Sequence, residues 1–138
     1  MENIKLYKDP YLIEFSQHGD SSIGFISVAE KGNLTFVPKR VYWTYYTPED
    51  ICRGGHAHWE LEQILIAVGG KIELTIEMHD GQVFDYVLDS PRQGVFIPRM
   101  SWHTMKYSRN AVQVCIASME YDEADYIRSY DDFKKVKV

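Results

Sequence analysis

Arg53-Gly54-Gly55-His56-Ala57-His58-Trp59-Glu60-Leu61-Glu62-Gln63 gathers two imidazoles, a guanidinium, carboxylates and an amide into one short stretch, with paired glycines among them. His56 and His58 are two residues apart, so on an extended strand both leave the backbone from the same face. The glycines let the backbone come close to a ligand, as side chains there would not. A single histidine on a strand is mostly structural. A pair on one face beside Gly-Gly and Arg is less often so, and this stretch is read as the active site.

Outward from it, the chain is a succession of short β segments. Arg40 to Tyr46 is the most β-prone run, and Pro48-Glu49-Asp50 breaks it just before the histidines. Leu61 to Val68 is continuously apolar after Gln63, as a strand buried on both faces would be. Gly69-Gly70 ends it. Lys71 to His79 alternates, with Ile72, Leu74, Ile76 and Met78 on one side and Lys71, Glu73, Thr75 and Glu77 on the other. Asp80-Gly81 signals a tight hairpin turn of the primed type, leading into a partner strand from Gln82 to Leu88. Further strands are expected at Tyr11 to Phe15, Ile23 to Glu30, Gly94 to Pro98, Trp102 to Tyr107 and Ala111 to Ser118, while Gln17 to Ser22 has turn composition. About nine or ten short strands at intervals of about 8–12 residues indicate an all-β sandwich or barrel. The tail differs. From Asp122 to Lys135 the period becomes helical, with an acid at the start and lysines at the end, and this short C-terminal helix is read as a packing element.

Bulk properties bound the function. A chain of 138 residues and 16.1 kDa is expected to be a single domain, residues 1–138, with a core that needs no staples. The net charge of −5 argues against a nucleic-acid or anionic-membrane binder, which needs a basic surface. Any phosphate must be met by a few placed arginines. Cys52 and Cys115 lack metal-type spacing and suit free thiols in a reducing compartment. No apolar leader is present, and no run approaches the roughly 18 apolar residues that span a bilayer, so a cytoplasmic location is expected.

A β-sandwich with His-x-His at the mouth of a strand has the pattern of a cupin, a double-sheet jelly roll. His56-x-His58, then Glu62, then Gly69 is similar to the latter part of the first cupin motif. Pro98-Arg99-Met100-Ser101-Trp102-His103 has the spacing of the second, with Met100 where glycine is usual. In metal-dependent cupins the set matching His56, His58, Glu62 and His103 binds a divalent cation. In metal-free members the histidines serve as acid and base. Spacing leaves both open.

A longer resemblance chooses between them. Lys39-Arg40-Val41-Tyr42, Arg53-Gly54-x-His56-Ala57-His58, Leu61-Glu62-Gln63, Leu88-Asp89-Ser90-Pro91, Trp102-His103 and Tyr121-Asp122-Glu123-Ala124-Asp125-Tyr126-Ile127-Arg128-x-Tyr130-Asp131-x-Phe133 resemble the bacterial sugar nucleotide 3,4-ketoisomerases. The resemblance runs from about Ile23 onward. It implies action on dTDP-4-keto-6-deoxyglucose, moving the ketone from C4 to C3 on the way to 3-amino sugars of surface polysaccharides. It also implies no metal or other cofactor and a homodimer that exchanges N-terminal strands.

The residues present can perform that reaction. A proton beside a ketone is acidic enough for an imidazole, whose pKa of about 6.5 suits a base near neutrality. The resemblance places the base at His56, with Arg53 and Tyr42 as donors to the enediolate oxygen. The acid that protonates C4 is left open among His58, Tyr42 and His103. Gln63 belongs to the substrate site on the same resemblance, Arg40 and Arg99 could grip the diphosphate bidentately, and Trp102 could stack on a sugar or base. Against these stand plainer roles: Tyr42 and Trp102 as core aromatics, and the arginines as solvated surface. In the resembling enzymes, histidine at the position of His103 accompanies the galacto product. The accompanying position before Gly24 is usually arginine or tyrosine, and here it is Ile23.

Overall fold

Side-chain alternation sorts the chain into an inside and two outsides. The computed structural model describes residues 7–136. In chain order its strands are β1 (Tyr11–Glu14), β2 (Ser16–Asp20), β3 (Gly24–Val28), β4 (Arg40–Thr44), β5 (Cys52–His58), β6 (Gln63–Gly69), β7 (Ile72–Met78), β8 (Val83–Leu88), β9 (Gln93–Ile97), β10 (Ser101–Tyr107), β11 (Val112–Ala117) and β12 (Tyr126–Ile127), followed by helix α1 (Tyr130–Lys135). Two five-stranded antiparallel sheets, in the orders β1-β9-β6-β11-β4 and β12-β5-β10-β7-β8, form a cupin-type jelly roll. Strands β2 and β3 make a hairpin that pairs with neither sheet.

The main core lies between the sheets, where Leu65, Ala67, Val95 and Ile97 from the first meet Ile72, Leu74, Ile76, Met78 and Met105 from the second. The expected alternation in β7 is present, with Glu73 and Thr75 exposed between buried neighbours. Burial of β6 on both faces has a simple cause. Ile64 and Ile66 point to the outer side, where Ile13, Phe15, Leu34 and Phe36 cover them.

Three expectations are corrected. Ser16 to Asp20 is a strand and not a turn: antiparallel pairing with β3 overrides its polar composition, and the reversal falls at Asp20, whose side chain accepts the Ser22 N–H at 2.8 Å. The β7–β8 turn is not of the primed type. Gly81 N–H donates to Met78 O and Met78 N–H to Gln82 O, and of the turn residues only Gly81 has positive φ, at 92°, which is a three-residue loop ending on a left-handed glycine. The helical stretch expected from Asp122 shrinks to Tyr130–Lys135. Before it, Asp122 caps a 3₁₀ turn at Glu123–Asp125, and Tyr126–Ile127 pair with His58 and Ala57 at the free edge of β5. Ser129 then caps the helix and Lys134 and Lys135 end it. The unpaired edge of β5 outweighs helix propensity here, because pairing it satisfies backbone groups at the side of the sheet. Phe133 is fully buried against Ala57, Met100 and Ile127, so the helix is the packing element the sequence suggested.

Candidate active site

The cavity is built by a defect in β5. His56 is the register partner of His103 on β10, but Gly54 and not Gly55 opposes Thr104, so the ladder slips by one residue at the glycines. Gly54 and Gly55 have φ of 86° and 75°, and a Cβ on Gly54 would lie 2.7 Å from the His103 carbonyl oxygen. Alternation alone would send Arg53 and His56 to opposite sides. The bulge lets both line one cavity. The paired glycines therefore serve first to bring two strands together.

That cavity, about 270 Å³, lies between the sheets. Strand β4 supplies Arg40, Tyr42 and Thr44; β5 supplies Arg53 and His56; β6 supplies Gln63; β10 supplies His103 and Tyr107; β11 supplies Gln113; Tyr121 and Tyr126 close one side. The rings of His56 and His103 are edge-on with centroids 4.8 Å apart, and His58 is edge-on to His56 at 5.0 Å. Tyr126 contacts both His56 and His58, at 5.1 and 4.4 Å.

Electrostatics keep the histidines neutral. Burial, aided by the positive charge of Arg128, lowers the His56 pKa to about 4, against a hydrogen bond with the Gly54 backbone that favours the protonated ring. Burial, then His56, lowers His58 to about 3 and holds fully buried His103 well below its ordinary value. Tyr42 is pushed the other way by burial, so its hydroxyl keeps its proton. That hydroxyl donates to Gln63 Oε1 at 3.0 Å, which also accepts from the Cys115 thiol at 3.1 Å, and Gln63 Nε2 is 3.4 Å from His103 Nε2. Tyr42 is thus tied to His103 through one amide.

Of the residues singled out in the sequence, Arg40, Tyr42, Arg53, His56, Gln63 and His103 meet in this cavity. His58 is buried behind its wall, with Nδ1 3.2 Å from Asp125 Oδ2. Arg99 and Trp102 are elsewhere. Arg99 pairs with Glu60 at 3.0 Å and lies over the Tyr7 ring, while Trp102 sits among Tyr130 and Phe133 on the outer face of its sheet. Strand parity explains the latter: on β10, His103, Met105 and Tyr107 turn inward, so Trp102 turns out. Glu62 lines a surface hollow with Glu60 and Arg99, and among the described residues no three His, Cys, Asp or Glu side chains are grouped to hold a metal ion. The four-ligand cupin set does not form.

Sequence reasoning missed Tyr107, Gln113, Tyr121, Tyr126 and Asp125. Tyr107 was within reach, being on the same parity as His103. Gln113 also carried a signal, as a lone amide in an apolar strand, and it accepts the Tyr107 hydroxyl in the core.

A jelly roll with a histidine-lined cavity between its sheets defines the cupin-like class. Within it, the chain belongs to the family described as FdtA: WxcM-like, C-terminal, which matches residues 8–138. It is 38% identical over 126 residues to the TDP-4-oxo-6-deoxy-alpha-D-glucose-3,4-oxoisomerase of Aneurinibacillus thermoaerophilus, covering 90% of this chain and 89% of that protein. Among solved structures it is similar to a 3,4-ketoisomerase from Helicobacter canadensis, with 34% identity, a TM-score of 0.86 and coverage of 92% and 96% of the two chains. It is likewise similar to QdtA, a sugar 3,4-ketoisomerase from Thermoanaerobacterium thermosaccharolyticum in complex with TDP, at 32% identity, TM-score 0.85 and 91% of each chain.

Proposed function

We propose that this protein is a dTDP-sugar 3,4-ketoisomerase acting on dTDP-4-keto-6-deoxyglucose. The observation that carries this is His56: a neutral imidazole in a cavity with room for one sugar ring, flanked by Arg53 and the protonated Tyr42 hydroxyl. At about 270 Å³ the cavity is near the small end of ligand sites, so the nucleotide extends across its mouth past Arg40 and Tyr121.

His56 removes the C3 proton. The electron pair of that bond enters a C3–C4 double bond, and the former C4 carbonyl oxygen takes up negative charge, met by Arg53 and Tyr42. The proton of the C3 hydroxyl then passes to the C4 oxygen, which stays on C4 as a hydroxyl; the C3 oxygen's electron pair forms the new ketone, and the electron pair of the C3–C4 double bond takes up a proton at C4. Tyr42, which keeps its proton, and the histidines beside it are the candidate acids at C4. Arg99 and Trp102, outside the cavity, carry no step.

The galacto configuration at C4 is supported by a histidine at position 103, although Ile23 departs from the accompanying arginine or tyrosine. The product suits 3-amino sugars of surface polysaccharide. Residues 1–138 act as one domain in the cytoplasm, which is consistent with free Cys52 and Cys115 and with no described helix long and apolar enough to cross a membrane. The working form is a homodimer exchanging N-terminal strands. Its support is the β2–β3 hairpin, which leaves Ile23, Phe25 and Ile26 exposed, and the exposed Val41 and Trp43 of β4.

The test is incubation of chelator-treated protein with dTDP-4-keto-6-deoxyglucose in deuterated water. A 3-keto product with deuterium at C4 is expected, and His56→Asn should lower the rate by about 10²-fold or more. No 3-keto product overturns the proposal. Deuterium at C5 would indicate a 3,5-epimerase, loss of activity with a stoichiometric metal a metal-dependent cupin, and binding without turnover a sugar-binding protein.

A further inference from the structure

His58 is the one histidine of the cluster outside the cavity wall, and its partner comes from the far end of the chain. Three groups converge on the Asp125 carboxylate. The Glu60 N–H donates to Oδ1 at 2.8 Å; the Leu61 N–H and His58 Nδ1 are each 3.2 Å from Oδ2. Backbone N–H groups can only donate, so both Asp125 oxygens act as acceptors, and with the carboxylate ionised the hydrogen shared with Oδ2 belongs to His58 Nδ1. The rest of the segment holds the carboxylate still. Trp59 N–H donates to the Asp125 carbonyl, Tyr126 pairs with His58 in β12, and both His58 and Asp125 are buried.

We propose that Asp125 is a positioning residue that locks His58 in the Nδ1–H tautomer, leaving Nε2 as a bare lone pair in the ring edge-on to His56. Two consequences bear on the reaction. A neutral His58 places no positive charge beside the base that has to accept a proton. The Asp125 carboxylate, one ring removed from His56, favours the imidazolium that His56 becomes. In this tautomer His58 cannot give a proton from Nε2 until it has first received one, so at rest it is an acceptor.

The tautomer is independent of the reaction, whereas its kinetic effect rests on the ketoisomerase assignment. Long-range proton–nitrogen NMR of uniformly labelled protein reads it directly, with the His58 ring assigned by its loss in His58→Gln. Nδ1–H is expected in the wild type. In Asp125→Asn the side-chain amide can donate to His58 Nδ1, so the ring should switch to Nε2–H, with kcat at least about 100-fold lower and KM within about threefold. Asp125→Glu, which keeps an acceptor, should retain Nδ1–H and recover much of kcat. Nε2–H in the wild type, or an unchanged tautomer in Asp125→Asn, overturns the proposal. If Asp125→Asn does not fold, the wild type and Asp125→Glu decide on the same criterion. A wild type with the Nδ1–H tautomer and no turnover overturns the ketoisomerase assignment and leaves the tautomer standing.

Discussion

His56 shows how much of its behaviour comes from its setting. An ordinary imidazole would be half protonated near pH 6.5, but burial lowers this one to about 4, so the ring stays a competent base well below neutrality. The acid limb of kcat/KM should accordingly fall near pH 4, and a limb at 6.5 would contradict the buried setting. Stability moves over the same interval. Because His56 and His58 bind protons less readily when folded, the unfolded chain takes them up first as pH drops. Their contribution is complete above about pH 6.5 and lost as pH falls through about 4 for His56 and about 3 for His58, so circular dichroism at each pH should accompany the rate measurements. Burial of this kind follows from the cavity and is not visible in the residue string. The grouping of His56 with Arg53 and the glycines was legible in the sequence; the burial that lowers its pKa was not.

Among the elements, β5 has the clearest demand on sequence. Gly54 combines a left-handed φ with a neighbouring carbonyl too close for any Cβ. Gly54→Ala is therefore expected to open the β5–β10 ladder and destabilise by more than about 1 kcal/mol, where an unstrained glycine replacement would stabilise, lowering Tm, as calorimetry would show. The stretch from Arg53 to Gln63 announced the site and its glycines, but it took the register against β10 to show that their role is a bulge. Met100 makes the same point in the second motif. It occupies a position where glycine is usual and holds φ of 57°, with its side chain buried against Phe133. Parity along β10 could have excluded Trp102, since His103 next to it faces in. The pairing of His58 with Asp125, 67 positions away, is written in no local pattern. Within the stretch whose period is helical, Tyr126 and Ile127 form a strand and diverge, Tyr126 toward the histidines and Ile127 into the core.

For the whole molecule, the unpaired hairpin and the outer face of β4 are the surfaces that the proposed dimer would bury. Ile23 is 81% exposed and Trp43 62%, a large apolar area for a lone chain in water. Sedimentation should find a dimer at micromolar concentration, and Ile26→Lys with Trp43→Lys should yield monomers; a wild type that stays monomeric would refute the exchange. The arrangement of β12 and α1 also bears on how the enzyme comes into being. Every strand of both sheets except β12 is translated before Asp125 and Tyr126, so a growing polypeptide can close its jelly roll while the His58 clamp is still missing. On the role proposed for Asp125, catalytic competence arrives late, only once that segment has left the ribosome and docked, which would keep a partly made chain from turning over nucleotide sugar.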